Sequence, residues 1–318
     1  PADFIRLVTH PHLMSGALAL VCFALMAETA AQTQAGPSID GVPGPVAVVL
    51  SSELQPYRQT YEAFVEAHGT TPPTQWLNDD TGRVQVPEQT RVVVAIGSKA
   101  ALASYPPRVT IVECMAPAAP AHNRGRRRVA VHLLPPAEEL LGFIGAVQPS
   151  LSRLAIPTVL PLSDGYLRDL QVAAQISGIE LISLAIPDAQ HVPDRLREML
   201  MDQVEALWLP PDPLLINATT FRLLCQFSES NDIPLYVPTP GLVGGGATGS
   251  IAPSYAQIGA SVAATVATLL AGRKPPTHVY PSGGIRTCNR SAALAAGLSL
   301  PADMGGGACD VMVGEESR

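Results

Sequence analysis

The chain has 318 residues, 47% of them hydrophobic and 15% charged, which is enough apolar material for two domain-sized cores. A net charge of −7 and a pI near 5.5 supply no global field that would draw the protein to nucleic acid or to acidic lipid. Of the 20 basic residues only Lys99 and Lys274 are lysines, and the arginines are spread along the chain, so the basic content reads as compositional bias rather than a phosphate-binding design.

The N-terminal segment reads as an export signal. Arg6 precedes "LMSGALALVCFALMA" (13–27), an uncharged apolar run, and "ETAAQTQAGP" then offers small-x-small cleavage sites at 29–31 or 33–35. The run is short for a membrane span and lacks the amphipathic stripe of a surface helix. Residues 1–35 are therefore assigned to a signal peptide, and the mature chain to the periplasm. Cys22 lies inside the apolar run rather than after a lipobox, which argues against a lipoprotein. Export leaves Cys114, Cys225, Cys288 and Cys309 in an oxidising compartment. Cys288 and Cys309 are close enough in sequence to pair, whereas Cys114 and Cys225, in apolar surroundings, read as small buried hydrophobes. There is no C-x-x-C, so neither a zinc ribbon nor a thioredoxin-type site is expected.

From Pro45 onward short apolar runs alternate with helical patterns. "VAVVL" (46–50) is a continuous aliphatic run, the mark of a buried strand. "YRQTYEAFVEAHG" places Tyr57, Tyr61, Phe64, Val65 and His68 on one helical face, with Gly69 as a C-terminal stop. Strands follow at "RVVVAIG" (91–97) and "VTIVECM" (109–115), separated by a short helix "SKAALAS". After the basic "HNRGRRR" (122–128), which reads as a solvated loop, a second series begins. It runs strand "VAVHLL", helix "PAEELLGFIGAV", strand "LAIPTVL" (154–160), helix "YLRDLQVAAQISG" (166–178) and strand "IELISLAI". Helix "VPDRLREMLM", strand "VEALWLP", helix "NATTFRLLCQFSESN" and strand "IPLYVP" (233–238) complete it. Such alternation predicts an α/β fold with parallel sheets and helices on both faces. Two series predict two similar Rossmann-like lobes, with ligands bound at the carboxyl ends of the strands.

"PLYVPTPGLVGGGATGSIAPSYAQIG" contains Gly244, Gly246 and Gly249 in the G-x-G-x-x-G spacing of a dinucleotide loop. The context fails that reading. Six residues, Pro238 and Pro240 among them, lie between Val237 and Gly244, "SIAP" after Gly249 is a short extended segment ended by Pro253, and no Asp or Glu occurs between Asp232 and Asp303 to hold a ribose. The next helix starts at a capping box, Ser254 with Gln257. The glycines are read instead as a flexible loop beside a crossing between lobes.

Three blocks, "ALWLPPDPLL" (206–215), "IPLYVPTPGLVGGGATGSIAPSYAQIGASVAATVATLLAGRKP" (233–275) and "NRSAALAAGLSLP" (289–301), resemble the ABC-transporter substrate-binding proteins of the tryptophan/tyrosine-binding type. "VVVAIGSKAALA" (92–103) adds a weaker match upstream, so the resemblance spans roughly 46–301. It implies a type I periplasmic binding protein fold, two lobes joined by three hinge crossings that close over a small molecule. Carried onto this chain, the first lobe is 44–128 plus 250–276, the second 129–249 plus 277–305, and 306–318 is a tail. The crossings fall near "RRRVAVHL", "GATGSIAP" and "VYPSGGIR". The chain has Gly244 and Gly245 where the family usually carries Glu, "SIAP" where it carries "SYG", and "MAPAAPAH" where a loop with an acid is common. The implied site is thus less charged than is usual in the family.

Candidate ligand-binding residues come from loops after strands. Ser51 and Ser52 follow the first strand and Ser98 follows "VVVAIG"; each can offer a hydroxyl to a ligand or cap a helix. Asp164 and Tyr166 in "PLSDGYLRD" occupy the matching place in the second lobe, Asp164 as a ligand or cap residue and Tyr166 as a stacking or hydrogen-bonding group. Asp212 in "PPDPLL" and Thr239 complete the set, while Trp208 reads as core. No G-x-S-x-G, Walker A or H-E-x-x-H occurs, and the seven histidines are scattered without metal-ligand spacing. The expectation is a non-enzymatic, exported solute-binding protein with no cofactor or metal. Its partners are a small-molecule ligand and an ABC transporter permease in the inner membrane, and nucleic acid is not among them. The alternative is a degenerate binding-protein-like sensory or interaction module without a transport role.

Overall fold

The computed structural model describes residues 41, 44–77, 84–116, 127–160, 162–300 and 307–314. The expected signal peptide, most of "MAPAAPAH" and residues 122–126 of the basic run lie outside them.

Two sheets carry the fold. In the first, β1 (Val46–Leu50), β2 (Thr74–Trp76), β3 (Val92–Ile96), β4 (Thr110–Cys114) and β5 (Arg128–Val131) are all parallel. Their order is β2-β1-β3-β4-β5. Helix α1 (Gln55–His68) follows β1, and the short α2 (Ser98–Leu102) follows β3. β1 and β3 are buried at every position, as strands covered on both faces must be. One face packs Val46, Val48, Leu50, Val94 and Ile96 against Phe64 of α1, and the other packs Val93, Ala95 and Ile111 around Ala100 and Tyr105.

From β5 the chain passes to α3 (Ala137–Val147) and into the second sheet. Here β6 (Arg153–Thr158), β7 (Glu180–Ala185), β8 (Ala206–Trp208), β9 (Leu235–Val237) and β10 (Gly249–Ala252) are parallel. Helices α4 (Asp164–Ser177), α5 (Val192–Met201), α6 (Ala218–Ser230) and α7 (Pro240–Gly244) intervene. The order β7-β6-β8-β9-β10 repeats the winding of the first sheet. Helix α8 (Tyr255–Leu270) then returns to the first sheet, burying Ile258, Val262 and Val266 beside α1. The capping box is formed: Ser254 Oγ accepts from the Gln257 N–H, and Gln257 Oε1 accepts from the Ser254 N–H.

β11 (His278–Val279) adds to the first sheet beside β5. β12 (Ile285–Asn289) pairs antiparallel with β10, followed by α9 (Arg290–Ala295) and β13 (Val311–Val313) beside β12. A disulfide joins Cys288 of β12 to Cys309, with Cα atoms 5.9 Å apart.

Strand pairing assigns the segments around each expected crossing to one sheet or the other. β5 and β11 belong to the first sheet, so the first lobe extends past 128 and regains 278–279. β10 belongs to the second sheet, so 250–252 do not start the first lobe's return. The chain changes sheet at 132–136, at 253–254 and at 280–284. Part of the expected tail is the strand β13. The glycine run lies one short strand before the second of these crossings. Gly244 ends α7, Gly246 takes φ +116 in the turn, and Gly249 opens β10 within the sheet. A Cβ on Gly249 would stand 3.1 Å from the Phe143 ring and 3.2 Å from the Thr287 carbonyl, so these neighbours would have to give by a few tenths of an ångström to admit a side chain.

Candidate functional site

In each sheet the chain winds outward in both directions from one adjacent pair of strands, β1/β3 and β6/β8. At such a reversal the helices leave toward opposite faces and open a crevice beyond the strand carboxyl ends. β5 and β10 leave their sheets from carboxyl ends at the first two crossings, so both crevices lie on the side where the two sheets are joined.

One polar side chain stitches each crevice. Ser51, 7% exposed, follows β1, and its Oγ accepts the Ala100 N–H of α2 at 3.0 Å. The residue in the cap position of α2 is Gly97, at φ +92, which has no side chain to cap with. Its own Cβ would fall 2.4 Å from Ser51 Oγ, so the two positions are mutually required. In the second sheet Asp212, 3% exposed, follows β8. Its carboxylate accepts the N–H groups of Val159 (2.8 Å), Leu160 (2.7 Å) and Leu214 (3.0 Å), which ties the loop after β6 to the loop after β8.

The candidates from the sequence thus divide. Ser51 and Asp212 spend their polar atoms on backbone amides. Tyr166 is 1% exposed, donates its hydroxyl to the Pro135 carbonyl at 3.0 Å and packs against Trp208 and Tyr280. It is a core side chain and not a stacking platform. Asp164 does not cap α4, because Ser163 holds that position and accepts the Tyr166 N–H. That leaves the Asp164 carboxylate exposed at the mouth of the second crevice, without a partner among the described residues. Ser52, Ser98 and Thr239 likewise carry hydroxyls with no hydrogen bond among the described residues, and Thr239 sits at the start of α7 without capping it.

Tyr57 packs on the α1 core face as its spacing predicts, and its ring also reaches Gly97 after β3, a position sequence reasoning did not count among the site candidates. The signal was its place in the first turn of the helix that follows β1. Three leucines on the same loops, Leu54, Leu160 and Leu214, are exposed by 63%, 43% and 47%. Single exposed leucines need no explanation, but these three lie on loops that follow β1, β6 and β8, at strand carboxyl ends. A separate groove of about 560 Å³ lies between α8 and β11, bordered by Thr265, Arg273, Lys274 and Tyr280. None of the crevice loops lines it, so it is not the between-sheet site.

The crossings form a connected unit. Gln257 Nε2 donates to the Ser282 carbonyl, and the Gly283 N–H donates to Glu139 of α3 at 2.9 Å. His132 and His278 share a hydrogen bond of 2.9 Å between Nε2 and Nδ1, and the His132 ring stacks on Tyr280 at 4.6 Å. Burial, with His278 beside it, pushes the His132 pKa down to about 4.

Residues 163–296 match the sequence model of the family described as ABC transporter substrate binding protein. No curated protein sequence matches the chain. Among solved structures, the chain is similar to the ABC domain in complex with L-Trp from Streptococcus pneumonia, at 17% identity and a TM-score of 0.58 over 86% of this chain and 100% of that one. It is also similar to the ligand-free, open structure of CD0873, a substrate binding protein with adhesive properties from Clostridium difficile. That match has 15% identity and a TM-score of 0.59 over 85% of this chain and 99% of the other. A conserved domain protein from Vibrio cholerae matches at 17% identity, with a TM-score of 0.56 over 86% and 100% of the two chains. At these identities the structures speak for the fold alone. The match over residues 163–296 agrees with the resemblance noted in the sequence, and the two-sheet α/β fold is shared with these structures.

Proposed function

We propose that this chain is an exported solute-binding protein. It takes up a small molecule between its two sheets, closes about the three crossings, and delivers the ligand to an ABC transporter permease in the inner membrane. The carrying observation is the pair of like-wound crevices, both on the crossing side, with side chains at the strand ends whose polar atoms have no partner among the described residues. Ser52, Ser98 and Tyr57 would meet the ligand from the first lobe, and Asp164 and Thr239 from the second. Ser51 and Asp212 hold the loops in place, so their contribution to binding is rigidity of the frame.

The ligand class follows from the same surfaces. Leu54, Leu160 and Leu214 favour an apolar body, the hydroxyls favour neutral polar groups, and Asp164 favours an amine. An amine-bearing aromatic fits that pattern, and L-tryptophan, bound in the Streptococcus pneumonia structure, is the first compound to try. The disulfide between Cys288 and Cys309 supports an oxidising, extracytoplasmic location, and no helix among the described residues is long and apolar enough to cross a membrane.

The test is mass spectrometry of small molecules released from protein purified from its native host, with a thermal-shift screen of aromatic amines and amino acids. A ligand at a hundredfold excess over its Kd stabilises the folded state by about 2.7 kcal/mol. Asp164→Asn and Ser52→Ala are expected to reduce that shift without lowering the melting temperature of the free protein. No released ligand, together with a flat screen, overturns the transport reading and leaves the interaction-module alternative.

A further inference from the structure

The two crossings that flank the first sheet's edge are joined by an imidazole pair, and no part of the binding reading uses it. His132 opens the first crossing directly after β5, and His278 lies in β11, two residues before Tyr280 opens the third. Their ring nitrogens are 2.9 Å apart, and the ring centroids 5.1 Å. His132 stacks on Tyr280 with an interplanar angle of 16°, and Tyr280 packs on Tyr166 at 4.7 Å. Tyr166 in turn donates to Pro135 in the first crossing, and the Tyr280 hydroxyl lies 3.4 Å from Ser163 Oγ. The ladder of rings therefore runs from the edge of one sheet, through both crossings, to the helix α4 that flanks the other.

We propose that the His132–His278 pair is an acid-sensitive latch on the hinge, fixing the relative setting of the two lobes while at least one imidazole is neutral and releasing it when both are protonated. The reasoning is about lone pairs. A hydrogen bond between two imidazole nitrogens needs one N–H and one lone pair, so it survives the first proton added to the pair. The second proton removes the last lone pair and leaves two cations facing each other across the contact. His278 is exposed at the edge of the first sheet. The Glu113 carboxylate of β4 stands two strands away from it, in direct register through Ala130.

The surrounding charges set where release falls. Arg128 of β5 pairs with Glu113, so that carboxylate is shared and does not neutralise His278 outright. Arg273 and Lys274 precede β11 and add positive charge near it, while Asp169 of α4 faces Tyr280 and Tyr166. Glu139 of α3 is taken up by the Gly283 N–H. No carboxylate among the described residues bonds His132, whose burial holds its pKa down near 4. Release is thus confined to acid and leaves neutral pH unaffected.

The latch rests on the reading that the lobes move about these crossings, but its test uses no ligand. Spin labels are placed on exposed α1 and α6 sites, Glu62→Cys and Arg222→Cys, in a Cys225→Ser background, and the interlobe distance is read by pulsed electron resonance. The wild-type ladder is expected to give one narrow distribution at about pH 7 that broadens and shifts as pH falls toward about 4, reversibly. In the double variant His132→Gln, His278→Asn, amide nitrogen and oxygen atoms take the positions of the two ring nitrogens and cannot charge. Its distribution is expected to be the same at both pH values. A double variant that shifts like the parent overturns the latch, as does a parent that keeps its distribution while both rings titrate by nitrogen NMR. Loss of near-ultraviolet circular dichroism over the same window also counts against it, since the lobes would then be unfolding rather than turning. If the distances move with acid and no small molecule ever binds, the latch stands and the transport reading falls.

Discussion

One substitution made at two places should have opposite effects. Glycine inside a helix costs about 1 kcal/mol relative to alanine, so Gly→Ala stabilises wherever the new methyl has room. Gly142 lies on the exposed side of α3 with nothing within 4 Å of the methyl position, and Gly142→Ala is expected to gain about 0.5–1 kcal/mol. Gly259 lies where α8 crosses α1. A Cβ there would stand 2.6 Å from the Thr60 carbonyl oxygen, 2.7 Å from the Ala63 Cβ and 2.7 Å from the Phe64 nitrogen. Ordinary contact begins at 3.4 Å, so one helix must retreat by 3.4 − 2.6 = 0.8 Å. Two of the three obstructing atoms are backbone and cannot rotate away. Overpacking of this kind costs about 1–3 kcal/mol, and the rigid obstruction places it at the upper end, near 3. Subtracting the helical gain of about 1 leaves Gly259→Ala destabilised by about 2 kcal/mol. At roughly 2–4 °C per kcal/mol for a chain of this size, its melting temperature should fall by about 4–8 °C, while that of Gly142→Ala rises by about 1–4 °C. Calorimetry with a urea titration at constant m-value measures both. If Gly142→Ala stabilises as expected and Gly259→Ala does too, the close approach of α1 and α8 is not what fixes the glycine, and the reasoning fails.

Asp212→Ala removes a buried carboxylate that accepts from three part-buried amides and should cost about 2 kcal/mol, read as a lower urea midpoint, whether or not ligand is present. Asp212→Asn keeps one oxygen but turns an amino group toward amide donors, so it should recover only part of the loss. Glu205 accepts from the Ser152 N–H, the Ser152 hydroxyl and the Arg153 N–H, and the Ser152 amide above all holds its pKa below the ordinary glutamate value. A depressed carboxylate pKa stabilises the fold above the unfolded-state pKa, and that stability is lost as pH falls through the folded one. Glu205→Gln should therefore lower the melting temperature at neutral pH and match the parent once the pH is below the folded pKa; a constant difference across that range would exclude the linkage. The Cys288–Cys309 bridge closes a sequence separation of 21 residues, so Cys288→Ser with Cys309→Ser should cost about 3 kcal/mol, measured against the reduced parent as a control.

What could be read from the sequence was what depends on neighbours in the chain. Continuous aliphatic runs marked β1, β3 and β6, because a strand covered on both faces has no polar side to show. The Ser254–Gln257 capping box marked the start of α8, because its hydrogen bonds span three residues. What could not be read was set by partners far away in sequence. β2 is three residues, "TQW", and is a strand only because Val48, Val49 and Leu50 supply its ladder. β13 is a strand because Thr287, Cys288 and Asn289 lie beside it.

The site shows the same division more sharply. A serine after a strand looks alike whether it meets a ligand or a helix, and Ser51 meets a helix because Gly97, 46 positions later, has no side chain to cap α2. Tyr166 stands where a ligand platform would, yet Pro135 and Tyr280 claim its hydroxyl and its ring. Removing Ser51, Tyr166 and Asp212 from the contact set strengthens the binding reading instead of weakening it. A crevice whose loops are pinned by buried polar atoms has already lost the freedom that binding would otherwise have to remove, and the hydroxyls of Ser52, Ser98 and Thr239 are presented from fixed backbone. The same holds for the histidines. His132 and His278 looked scattered at a separation of 146 residues, and only the pairing of β5 with β11 brings them to 2.9 Å, at the place where a charge can act on the angle between the lobes.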